Sequence, residues 1–158
     1  MVLNVMRRSL CFLSILCAVS IRCIASDDLP KFENCAATPE TVQKQARLRL
    51  TIAETRRYAT QLREAQKHPV DFAGHFVMAS WGCGAGCVMA AAIDARTGAV
   101  TMVPFTLSDW PLEVTEPLSF RKDSCLLIVR GSRNEKGRGT YYYHFDGKSF
   151  HLLKADEE

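Results

Sequence analysis

The sequence predicts an α+β domain: a mostly antiparallel β meander or curled sheet with one N-terminal helix packed on it, stapled by disulfides. Three observations predict it. Apolar residues recur at helical spacing over one stretch, 55–65, and only there. From Asp71 onward the pattern changes to short period-two runs separated by turn chemistry, and it stays so to the end. Four cysteines, Cys35, Cys83, Cys87 and Cys125, follow a leader that marks the chain for an oxidising compartment.

That leader is residues 1–25. Arg7 and Arg8 make a basic start, residues 9–21 form an apolar stretch without a charge, and Cys23-Ile24-Ala25 presents small residues for cleavage after Ala25. Residues 26–158 are then a single domain that is periplasmic or secreted, with no membrane span once the signal is removed. Cys11, Cys17 and Cys23 leave with the signal, and the four that remain are an even number. Three connectivities are possible. Cys83 and Cys87 are separated only by Gly-Ala-Gly, so a local bridge closes easily and Cys35 is left for Cys125.

Residues 26–39 are polar and carry Pro30 and Pro39, an irregular lead-in pinned by Cys35. Residues 47–51 alternate Arg-Leu-Arg-Leu-Thr, as a short half-buried strand does. Thr51 and Glu54 have capping-box spacing, so a helix is expected to begin there. Its inner face is Thr55, Tyr58, Ala59, Leu62 and Ala65, with Arg56, Arg57, Arg63, Glu64 and Lys67 in water and His68-Pro69 as the stop. An alternative helix begins at Thr38-Pro39 and takes in the strand. Further strands are expected over 75–82, 87–93, 99–104, 118–121, 125–130, 140–145 and 149–153. The connectors are 94–98, the charged 131–139 and the Asp146-Gly147 pair, which suits a tight hairpin. Tyr141, Tyr143 and Phe145 share one strand face; Tyr142 and His144 share the other.

Charge excludes one class of function. The chain has 20 basic and 17 acidic residues. Removing Arg7, Arg8 and Arg22 with the leader leaves 20 − 3 = 17 basic against 17 acidic. A nucleic-acid binder shows a clustered basic excess, so no nucleic-acid partner is expected. No nucleotide-loop, lipase-elbow or zinc-protease pattern occurs either.

The segment with chemical content is Asp71-Phe-Ala-Gly-His75, then Trp81-Gly-Cys-Gly-Ala-Gly-Cys87, then Asp94-Ala-Arg-Thr-Gly98. Glycine weakens a strand unless the backbone must bend or be approached closely, so three glycines and two cysteines over 82–87 demand special geometry. These motifs resemble a family of small, exported, largely uncharacterised bacterial proteins sharing Phe-Ala-Gly-His and Trp-Gly-Cys-Gly-x-x-Cys. The likeness runs over about residues 56–98. It implies an exported single domain of helix and sheet and brings no reaction with it.

Four readings of the segment compete. In the structural one, a Cys83–Cys87 cystine pins a hairpin tip, with His75 and Trp81 packed around it. In the binding one, His75, Trp81 and the amides of Gly82, Gly84 and Gly86 form a recognition surface for another protein. In the metal one, His75, Cys83 and Cys87 hold a thiophilic ion, with Met78 or Met89 as a fourth ligand. In the enzymatic one, Cys83 is a thiolate with His75 as base, Asp71 as orienter and Gly84 and Gly86 as oxyanion donors, or the two cysteines are a redox dithiol. The sequence favours binding without catalysis and requires no cofactor. An inhibitor or immunity-type partner of an envelope protein fits this small stapled scaffold.

Overall fold

The structure is a computed structural model that describes residues 29–157. The expected signal peptide and its three cysteines lie outside the described residues. Eight strands form one antiparallel, unclosed sheet: β1 (Phe76–Gly84), β2 (Cys87–Asp94), β3 (Val100–Met102), β4 (Leu107–Ser108), β5 (Leu118–Ser119), β6 (Leu126–Arg133), β7 (Lys136–Phe145) and β8 (Phe150–Glu157). The order is β1-β2-β4-β6-β7-β8, with β3 on β2 and β5 on β6. No helix among the described residues is long and apolar enough to cross a membrane.

The strand alternation decides which side chains meet. The inner face gathers Phe76 and Met78 of β1, Ala90 and Ala92 of β2, Leu127 and Val129 of β6, and Tyr141, Tyr143 and Phe145 of β7. The sheet curls enough that the Phe76 ring meets Phe145 edge-on at 4.8 Å, and Phe72 meets Phe145 at 5.3 Å. On the outer face Val77, Ala79, Ala91 and Ile93 pack with Leu62, while Leu126, Ile128 and Tyr142 pack with Phe32 and Cys35. The expected division of β7 between its two faces therefore holds.

The helical stretch differs from expectation. Two short helices, α1 (Ala53–Arg57) and α2 (Ala59–Ala65), stand where one was expected. Tyr58 between them leaves the helical region at ψ 24°, and its ring packs on Trp81 with centroids 5.1 Å apart. The Thr51–Glu54 capping box does not form. The N-cap is Ile52, without a side-chain cap bond, and Thr55 Oγ donates to the Ile52 carbonyl instead. The apolar face is still the one expected, with Thr55 and Leu62 fully buried.

Residues 47–51 are also corrected. They are extended, and Leu48 and Leu50 do pack inward against the cluster around Leu62. Among the described residues the segment makes one bridge, Arg49 to Ala99, because it belongs to a longer strap crossing the outside of the sheet. The strap is tied by Ala37 N to Asp123 O, Glu40 N to Gly74 O, Ala46 N to Ala95 O and Arg49 N to Gly98 O, at 2.7 to 2.8 Å. Its start is a 3-10 turn, Phe32–Cys35, whose carbonyls at Phe32 and Cys35 accept from Ser124 Oγ. The Cys35–Cys125 disulfide fastens that end.

Two connectors differ as well. The charged 131–139 stretch is mostly strand: β6 runs to Arg133, β7 starts at Lys136, and the turn is Asn134-Glu135, both at positive φ. Asn tolerates that conformation, and its Oδ1 accepts from Thr106 N, which holds the turn in place. The 106–117 region, which carries none of the expected strands, contains β4. Its two residues bridge β2 and β6 (Val88 to Leu107, Leu107 to Arg133) and so join the two parts of the sheet.

Candidate functional site

The motif segment lies along one hairpin, and the structure splits it into two ends. At the base, Phe72 is a core residue, Ala73 and Gly74 have positive φ, and His75 leads into β1. His75 is mostly covered, with Nδ1 3.3 Å from Glu40 Oε1 and Nε2 3.8 Å from Asp94 Oδ1. Glu40 belongs to the strap and Asp94 ends β2, so the imidazole joins strap to hairpin.

Asp94 explains the Asp-x-x-Thr-Gly motif. Its Oδ1 accepts from Arg96 N at 2.8 Å and Thr97 N at 3.3 Å, and its Oδ2 accepts from Thr97 Oγ at 2.8 Å. Such a side-chain-capped turn needs Asp at its start. Gly98 closes it at φ +74°, with the strap directly against it: a Cβ there would lie 1.9 Å from the Arg47 carbonyl oxygen. Gly74 is similar, since its Cβ would stand 2.6 Å from the Thr38 carbonyl. Both motif glycines are therefore places where the strap touches bare backbone.

At the other end the hairpin rises out of the core. From Gly82 to Gly86 every residue is exposed, and Cys83 and Cys87 are bonded to one another with Cα atoms 5.1 Å apart. Gly84 and Gly86 have φ +142° and +63°, and a Cβ on either would meet nothing within 4 Å. They are required by the bend and not by packing. Trp81 stands just below the tip. Its ring lies on Tyr58, and its buried indole nitrogen finds no acceptor among the described residues. Trp81 is thus half anchor and half rim.

Of the expected site residues, the structure brings Trp81, Gly82, Gly84 and Gly86 together at the tip and leaves His75 apart. Eight strand residues at roughly 3.3 Å each put His75 about 26 Å from Cys83. The set His75, Cys83 and Cys87 therefore does not converge on one ion, nor does His75 reach Cys83 as a base. Met78, offered as a fourth ligand, is in the inner core. Asp71 is turned toward Met78 N, which it accepts at 2.8 Å, and not toward His75. Among the described residues, the group of ligating atoms lying within 4.8 Å of one another is Cys35, Cys125 and His144, and its two sulfurs are already bonded to each other.

Asp71, which only the enzymatic reading offers as an orienter, holds the β1 backbone through Met78 N. Burial pushes its carboxyl above the usual range, against the pull of the Met78 amide. A raised folded-state pKa means the folded chain holds the proton more tightly, so stability is lost as pH climbs from the ordinary value of 3.8 through the folded one. Asp71→Asn keeps an oxygen for Met78 N and removes the penalised charge. Its melting temperature should exceed the wild type's at pH 7, with the difference vanishing below pH 3.8. A variant less stable at pH 7 would show that the bond to the ionised form outweighs burial.

Two clefts flank β1 at Ser80, below the tip, and no single motif announced them. One, of about 480 Å³, lies between α2 and β1 and is lined by Gln61, Glu64, Ala65, Asp71, Ser80 and Trp81 among others. The second, of about 340 Å³, lies on the inner side among Ser80, Val88, Thr115, Glu116, Pro117 and Phe120. No protein-family model matches the chain, and neither a curated protein nor a solved structure does.

Proposed function

We propose that this chain is an exported binding protein without catalytic action, which presents the stapled β1–β2 tip to another envelope protein as an inhibitor or immunity-type partner does. The observation that carries the reading is the run of exposed residues 82–86 at the end of a hairpin whose lower half is core and whose tip is closed by Cys83–Cys87. A loop already fixed in one conformation loses little freedom on binding, and that ordering cost is a main reason exposed loops bind weakly. The balanced charge of residues 26–158 agrees with a protein partner. The likeness to small exported bacterial proteins supports a periplasmic or secreted site of action.

Ala85 at the apex tests the reading, because it is exposed and has no positive φ to preserve. Ala85→Arg should leave the melting temperature unchanged. The wild-type protein, crosslinked in the cell envelope, should yield one dominant partner, and the variant should lose it by at least about tenfold. Retention of that partner by the variant would remove the tip from the proposal.

A further inference from the structure

We propose that the outer edge of β1 is a docking strip for an extended segment of a partner protein carrying lysine or arginine, which adds to the sheet as a strand. This rests on the binding reading above and names the chemistry of what is bound. Among the described residues β1 is the terminal strand of the sheet and β2 is its one strand partner. Phe76 exchanges backbone bonds with Phe72, and Met78 N is taken by Asp71, so the backbone of residues 76, 78, 80 and 82 points away from β2. The lower half of this edge is thereby capped by the chain itself. At Ser80 and Gly82, both exposed, the outward N–H and C=O meet no other strand among the described residues. The strip ends at the irregularity between Gly82 and Gly84.

An open edge alone is a hazard that proteins usually blunt with charge, proline or a bulge. Here it has receiving surfaces on both sides. Ser80 lines the α2 cleft and the inner cleft alike, so the two clefts meet at the edge. Side chains of an added strand point alternately to opposite faces, one set toward each cleft. Main-chain bonds then give affinity and the clefts give selectivity, as in strand-addition recognition. The charge in the clefts selects the occupant. Glu64 and Asp71 line the first and Glu116 the second, over apolar floors that include Ala65 and Trp81, or Pro117 and Phe120. Lys67 already pairs with Glu64, which leaves Asp71 and Glu116 as the carboxylates facing an incoming cation. His68, on the rim of the first cleft, is the other titratable group there.

The probe is a capped heptapeptide, Thr-Val-Lys-Lys-Lys-Val-Thr, whose adjacent lysines point to both clefts, titrated into the isotopically labelled chain at low and at moderate salt. Saturable shifts and slowed amide exchange at Ser80 and Gly82 are expected, weakening with salt. The same peptide with glutamate for lysine should bind at least about tenfold more weakly. Ser80→Pro removes the outward donor and leaves the inward bonds of Ala79 and Trp81 to β2, so it should abolish binding. If that variant fails to fold, the lysine peptide N-methylated at alternate amides makes the same test on the unaltered protein and should not bind. Absence of saturable shifts at Ser80 and Gly82 up to about 1 mM peptide overturns the proposal, as does equal binding of the glutamate peptide. Concentration-dependent dimers that protect those two amides overturn it too, with a second copy of this chain as the occupant. The Ala85→Arg variant separates the two ideas. Loss of the envelope partner at the tip with no peptide at the edge leaves the binding reading standing and removes this one.

Discussion

Replacing Cys35 and Cys125 together by serine is expected to cost the folded state about 4.6 kcal/mol, from the loop entropy that a bridge of sequence separation 90 removes from the unfolded chain. A domain of this size has roughly 5–15 kcal/mol in total, so the loss is a large share of it. The two serines keep Cys125 N to Cys35 O within reach and leave Ser124 Oγ on the carbonyls of Phe32 and Cys35. What is lost is the covalent tie and not the docking surface. Urea unfolding of the double variant measures it, with the Cys83→Ser, Cys87→Ser pair as the internal standard. That short loop is worth only about 2 kcal/mol in the same account. Equal losses for the two pairs would show that the loop argument does not describe this chain.

Gly98→Ala is the second large effect. The new methyl carbon would stand 1.9 Å from the Arg47 carbonyl oxygen, which is backbone and cannot rotate aside, and φ there is +74°. The left-handed conformation alone costs an alanine about 1–2 kcal/mol, and displacing the strap adds to it. A total loss of about 3–5 kcal/mol is expected, together with faster hydrogen exchange at Arg49, whose amide bonds to Gly98 O. Gly86→Ala is the control: φ is +63° but nothing lies within 4 Å, so it should lose only the conformational part. If both substitutions cost the same, the strap is not pressed on Gly98 in solution.

Much of the sheet is readable from local pattern because its causes are local. Alternation over 140–145 assigns Tyr141, Tyr143 and Phe145 to one face, and the structure buries all three on the inner side. The pairing of Cys83 with Cys87 follows from proximity along the chain, and the helical face follows from its period. What the pattern misses depends on partners remote in sequence. A strand as short as Leu107–Ser108 has no period to detect, yet it joins β2 to β6. Thr51 and Glu54 have the spacing of a capping box, but the chain enters the helix one residue later, at Ile52. His75 reads as a ligand beside two cysteines, whereas its contacts are Glu40, far upstream, and Asp94 at the end of the neighbouring strand. That β1 is a terminal strand is a property of strand order, so the clefts on either side of Ser80 have no sequence signature.

The two-residue strand β4 divides the sheet into two leaves. One leaf is β1 to β3, the other β5 to β8, and among the described residues the ladder between them is Leu107 and Ser108. The strap crosses this line on the outside. It is bound to Asp123 on one leaf and to Gly74, Ala95 and Gly98 on the other. Beyond that ladder the leaves are held by the inner core they share, by Gly74 N to Lys122 O and by the strap, and on the Asp123 side the Cys35–Cys125 bond keeps the strap nearby. Reduction therefore lengthens the tether between the two leaves, and the chain's resistance to proteases is expected to fall when the Cys35–Cys125 bond is opened.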